Sequence, residues 1–161
     1  KVSISKGEGT LSQTATKGTY NVDVNSPRRL TIRAEGVTNQ GKTVATELDF
    51  RIKRVPDPIP KLAGKTGGRL SIEEFKKQKE LILELEGFDY DAVFELSGFE
   101  FTLARYQHLY VAHNQGSTFN ELTQKLIQKA EVEDVIYLDN IGVKEPDGRT
   151  RKLPTTSFLL Y

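Results

Sequence analysis

Cysteine is absent from this 161-residue chain, which excludes disulfides and thiolate metal sites. That suits a bacterial envelope or a cytoplasmic location and does not choose between them. Histidine occurs only as His108 and His113. Both fall on a segment of extended character, where an odd spacing turns side chains to opposite faces. Two imidazoles without a third ligand nearby make a poor metal site. No Ser/His/Asp set stands out either, so the chain reads as non-enzymatic, with no catalytic residue, metal or cofactor. Tryptophan is missing, which weakens the case for a carbohydrate-binding platform. No apolar run approaches the roughly 20 residues that a membrane helix needs. No signal-like segment opens the chain at Lys1, so a processed product or a fragment of something longer is expected.

What is present is unevenly distributed. The net charge of +1 conceals a split. Residues 1–55 carry ten Lys/Arg against five Asp/Glu, and residues 56–161 carry thirteen against seventeen. The two halves therefore differ in sign, which places a boundary near residue 55. The basic residues of the first half alternate with apolar ones, as in Leu30-Thr31-Ile32-Arg33 and Phe50-Arg51-Ile52-Lys53. This is the pattern of a solvated sheet face, and nucleic acid is not an expected partner.

Prolines stand at alternate positions in Val55-Pro56-Asp57-Pro58-Ile59-Pro60. Each fixes φ near −65° and removes a backbone donor. The segment reads as a semi-rigid strut, and Pro56, Pro58 and Pro60 as hinge or linker residues. Gly64-Lys65-Thr66-Gly67-Gly68 follows. It lacks the earlier glycine and the preceding strand of a phosphate loop. Residues 56–70 are thus expected to be a linker between a domain at 1–55 and another at 71–161.

The first domain is strand and turn throughout, including a turn at Asn25-Ser26-Pro27 and alternation of Val44, Thr46, Leu48, Phe50 and Ile52. It reads as an immunoglobulin-like β-sandwich. About five strands stand where about seven are usual, so it is expected to be truncated at its N-terminus or completed by another chain. Unpaired edges predict dimerisation through this basic half.

The second domain mixes types and reads as α+β. Ser71-x-x-Glu74 and Thr118-x-x-Glu121 have the form of capping boxes. Phe119, Leu122, Leu126, Ile127 and Ala130 form a helical stripe. Phe94 and Leu96 share one parity, and Phe99, Phe101 and Leu103 the other. The switch at Ser97-Gly98 predicts a β-bulge. The whole chain is therefore expected to be mostly β with two short helices. Asp89 and Asp91 could pair carboxylates, but the loop lacks the further oxygens of a calcium site.

Several blocks, in order, resemble the C-terminal domain of the GldM/PorM family. They are Val55 to Pro60 with its glycine-rich tail, Gly87-Phe88-Asp89-Tyr90-Asp91 running to Phe99, Asn114-Gln115-Gly116-Ser117-Thr118-Phe119, and Pro146-Asp147-Gly148-Arg149 running to Leu153. The resemblance covers most of residues 55–161. It implies a periplasmic component of the type IX secretion and gliding-motility machinery, anchored in the inner membrane by an N-terminal helix that this sequence does not contain. It implies a homodimer, a GldL/PorL-type motor partner in the inner membrane, and GldK/PorK- and GldN/PorN-type ring proteins at the outer membrane. The task implied is force transmission.

Loops on a rigid scaffold usually carry recognition. Lys61 and Lys65 in the glycine-rich stretch, and Tyr106, His108 and Asn114 around a hairpin and turn, are the expected partner-binding residues. The alternative from another class is a carbohydrate- or ligand-binding β module of a surface protein, for which Tyr106 with Tyr110 is the best aromatic cluster.

Overall fold

The structure, a computed structural model, describes residues 1–24, 28–87 and 92–161. The turn expected at Asn25-Ser26-Pro27 and the Asp89/Asp91 pair lie outside the described residues. The chain is mostly β with two short helices, as expected. It divides into two compact units, Lys1–Val55 and Pro56–Tyr161.

The first unit holds two small antiparallel sheets. Strands β1 (Val2–Lys6), β4 (Arg29–Val37) and β5 (Thr43–Arg51) form one, in the order β1-β4-β5. Strands β2 (Thr10–Gln13) and β3 (Tyr20–Asp23) form the other. The register sets Leu30 opposite Phe50 and Ile32 opposite Leu48, so the apolar residues share a face. That face is unevenly covered. Leu30 is buried, whereas Leu48 is 58% exposed and all nine residues of β5 are exposed. The β2–β3 hairpin lies by β1 and leaves β5 open among the described residues. The opposite face carries matched polar rows. Thr31 donates to Asp49 at 2.6 Å, and Arg33 pairs with Glu35 at 2.8 Å.

The second unit is a two-layer module. Its main sheet runs β10-β9-β11-β13-β7, built from β7 (Gly68–Leu70), β9 (Glu95–Arg105), β10 (His108–Gln115), β11 (Val135–Lys144) and β13 (Thr156–Leu160). Strand β12 (Thr150–Lys152) pairs with β11, and β6 (Ile59–Lys61) pairs separately with β8 (Ile82–Glu84). Helices α1 (Ile72–Lys76) and α2 (Glu121–Lys129) bring apolar side chains to one face of the sheet. There Phe75 stacks on Phe101 at 6.3 Å, and Phe119 meets Phe99 edge-on at 5.8 Å. Leu103, Ile136, Leu138 and Phe158 complete this fully packed centre.

The expected bulge is present. Gly98 faces Gly142 and Leu96 faces Val143, which leaves Ser97 as the extra residue on β9. The insertion moves the apolar parity from Phe94 and Leu96 to Phe99, Phe101 and Leu103, and all five touch the same core.

Three expectations are corrected. First, residues 59–70 are not a free linker. Pro60 pairs with Leu83, β7 lies parallel to β13, and Leu62 and Leu70 are fully buried. Second, Ser71 holds the N-cap position of α1 without a side-chain cap bond. The first helical N–H, that of Ile72, donates to the Tyr161 carbonyl at 3.0 Å. Third, α2 is capped by Asn120, whose Oδ1 accepts from Thr123 N–H at 2.9 Å. Thr118 is held in a bridge to Glu80 and cannot serve as the cap. The buried stripe accordingly includes Thr123, while Leu122 is exposed.

One partly buried ion pair locks the chain after α2. Arg105 donates to both Asp134 oxygens at 2.8 Å, and Glu131 N–H donates to Oδ2 at 2.8 Å. Burial pushes the Asp134 carboxyl up, but the hydrogen bonds from Arg105 and from the Glu131 amide outweigh it and hold the group below its ordinary value. A carboxyl depressed in the folded state stabilises the fold above its unfolded value, about 3.9, and that contribution is lost as pH falls through the folded value. The stability of the second unit against denaturant should therefore fall below about pH 4. Asp134→Asn should be less stable at pH 7 and should lose stability less steeply on acidification. Circular dichroism in urea at pH 7 and pH 3 checks this. An Asn variant with an unchanged acid slope would refute it.

Candidate interaction surface

The expected contact residues come to different environments. Lys61 is only 15% exposed at its side chain and bonds Glu84 at 2.7 Å and Glu86 at 2.8 Å. Those hydrogen bonds, to Glu84 and then to Glu86, hold its ammonium above the ordinary lysine value. It fastens β6 to β8 and the segment beyond, so it offers little free charge to a partner. Lys65 donates to the Arg69 carbonyl at 3.1 Å and lies 3.8 Å from Glu74. The glycine-rich stretch is an ordered turn. Leu62 and Lys65 exchange backbone bonds at 2.9 and 3.0 Å, with Ala63 and Gly64 at φ 50° and 73°. Both central residues at positive φ is the type I′ pattern, which favours glycine at the second of them.

The strut is likewise built in. Pro58 and Pro60 are buried within the second unit, while Pro56 is exposed. Asp57 is tied to Arg151, which also reaches both Glu145 oxygens at 2.6 Å and lies over the Phe94 ring at 5.7 Å. Pro58 and Pro60 are therefore packing residues and not hinge residues.

Asn114 is not on the surface. It is buried on β10, and its Oδ1 accepts from Asn120 N–H at 2.9 Å and from the Thr123 hydroxyl at 3.0 Å. It joins β10 to the start of α2. Asn120 returns the link, donating from Nδ2 to the His113 carbonyl at 2.7 Å.

Tyr106 and His108 are brought together at the outer end of the sheet. Tyr106-Gln107 is the two-residue loop between β9 and β10, closed by the Arg105–His108 pair. Tyr106 takes φ 53° in the first loop position and is 96% exposed. Glycine is usual there, and a side chain costs roughly 1–2 kcal/mol. His108 is exposed with its ring 6.4 Å from that of Tyr110. His113 lies on the other face, with Nδ1 3.4 Å from Glu100.

The outer face of the main sheet, opposite the helices, carries an apolar row that the sequence reading missed. Leu109 is 68% exposed and stands in register with Ala104, Val135 and Leu159. Val111, Thr102 and Tyr137 form the next row. A signal for it was available: no Lys, Arg, Asp or Glu occurs from Tyr106 to Asn120.

These features define a mostly β protein of two compact units, the second a two-layer α+β module with one apolar sheet face open. The model of the family described as GldM C-terminal domain matches residues 56–160, nearly the whole of that module. The chain belongs to the GldM family, which is part of the gliding-motility and type IX secretion machinery and is a structural component of its periplasmic region. No curated protein matches the chain. No helix among the described residues is long and apolar enough to cross a membrane.

Proposed function

We propose that this chain is a periplasmic scaffold and force-transmitting component of the type IX secretion and gliding motor. It would link the inner-membrane motor to the outer-membrane-associated ring. The family match over residues 56–160 carries this reading. The anchoring of the strut supports it. A load-bearing segment needs few accessible conformations, and Pro58, Pro60 and the Asp57–Arg151 pair restrict this one. The partners are a second copy of the chain and the GldN/PorN- and GldK/PorK-type ring proteins. A GldL/PorL-type protein engages the N-terminal membrane segment characteristic of the family.

We assign the ring-facing contact to Tyr106 and His108, a reading supported by an exposed aromatic held in a backbone conformation better suited to glycine. The test uses full-length protein with Tyr106→Ala and His108→Ala together. Folding is checked by circular dichroism, and the GldN/PorN-type protein is then captured in a pull-down. Retention should fall at least tenfold. Wild-type retention by a folded variant would move the contact elsewhere.

A further inference from the structure

The main sheet ends on β10, and this edge differs from the other. At the opposite end β7 has three residues and begins at a glycine. Strand β10 has eight residues, paired to β9 without a register shift. Exposed edges are usually blunted by lysine, proline, a bulge or shortness. From His108 to Gln115 the strand has no proline, no lysine and no bulge, and it lies inside the uncharged run from Tyr106 to Asn120.

The direction of its backbone groups is fixed by two contacts. Gly116 N–H reaches the Ser97 carbonyl across the ladder at 3.2 Å, so the even-numbered residues bond β9. Antiparallel ladders alternate, so Leu109, Val111 and His113 turn their backbone groups outward. The His113 carbonyl is already taken by the Asn120 amide. Among the described residues the free stretch is therefore centred on Tyr110.

We propose that this edge pairs with the same edge of a second copy, antiparallel about a two-fold axis at Tyr110, to make one continuous sheet. The inference rests on the homodimer reading above and gives it a surface in the second unit, in place of the basic half that the strand count pointed to. Backbone groups of this kind are satisfied by an added strand. The sequence is self-complementary in this register. Leu109 faces the second copy's Val111, and Val111 faces its Leu109, on the exposed apolar face. Tyr110 faces Tyr110, and the paired stretch ends at His108 opposite Ala112, which leaves Tyr106 at the hairpin loop for the ring contact. No charge meets a like charge. A two-fold interface requires this kind of matching.

The absence of cysteine makes the register directly readable. Tyr110 would meet its own copy as a non-hydrogen-bonded pair, with Cα atoms about 4.5 Å apart, within the span of a disulfide. Position 111 would be displaced from its own copy by two residues, about 8 Å away, which a disulfide cannot bridge. The experiment places a single cysteine in the full chain as Tyr110→Cys, Leu109→Cys or Val111→Cys, oxidises each at tens of micromolar, and compares dimer yields. Light scattering gives the mass before oxidation. The expected result is a dimeric mass and at least fivefold more cross-linked dimer for Tyr110→Cys than for its neighbours. In the same assay Val111→Lys, an exposed change, should reduce the Tyr110→Cys cross-link severalfold. A dimeric mass with equal or absent cross-linking overturns this surface and leaves the homodimer reading standing. A monomeric mass with no cross-linking overturns both.

Discussion

Phe101→Ala should destabilise the second unit by about 3–5 kcal/mol and leave the first unit unchanged. Phe101 is fully buried at the middle of β9. It stacks on Phe75 beneath α1 and lies 6.2 Å from Phe119 at the approach to α2. One ring thus couples both helical regions to the sheet, and its removal leaves a cavity that neither can fill alone. Domains of this size have net stabilities of roughly 5–15 kcal/mol, so the loss is a large fraction of the total. Calorimetry should show the transition of the second unit lowered by about 15 °C or more, with the transition of residues 1–55 in place. A loss under about 1 kcal/mol would mean that the core repacks around the gap, and that the ring does not couple the layers. The same reasoning gives Val132→Ala, at a side chain 57% exposed, an effect within about 0.5 kcal/mol.

The core was legible because it is periodic. Alternation fixed the buried side of β9, and the parity change at Ser97-Gly98 located the bulge without any structural information. The expectation failed where non-local partners decide. Residues 59–70 have the prolines and glycines of a connector. Yet Leu62 and Leu70 enter the core, and β7 pairs in parallel with β13 at the far end of the chain. Local composition carries no trace of that pairing. The caps failed for a related reason. Ser71 has the right chemistry and holds the N-cap position, but its side chain makes no cap bond, and the start of α1 is tied through the Ile72 amide to the Tyr161 carbonyl at the far end of the chain. At the candidate contact, Tyr106 and His108 could be named because loop residues at a hairpin tip are exposed by geometry. Asn114 was misassigned because a polar residue before Gln115-Gly116 reads as a turn. Its burial depends on Asn120 and Thr123 arriving from α2.

Gly98→Ala should destabilise the second unit, whereas Gly36→Ala should stabilise the first, and the contrast isolates what the bulge requires. Neither glycine has a positive φ. In both cases alanine restricts the unfolded chain, worth about 0.4–1 kcal/mol in favour of the variant. At Gly36 on β4 a Cβ would meet nothing within 4 Å, so that gain stands alone. At Gly98 a Cβ would lie 2.6 Å from the backbone carbonyl oxygen of Asn114. A backbone atom in a ladder cannot rotate aside as a side chain can, so β9 and β10 must separate locally. Overpacking of this kind costs about 1–3 kcal/mol, which exceeds the entropic gain. The strain should also travel. Asn114 is the residue whose side chain holds the Asn120 amide and the Thr123 hydroxyl, so moving its backbone disturbs the start of α2. Hydrogen exchange should therefore quicken at Thr123 and Gln124 in Gly98→Ala, while amides of β13 keep their protection. Equal stabilisation by both substitutions would show that the strands yield at the bulge, and that glycine at position 98 is not required for their close approach.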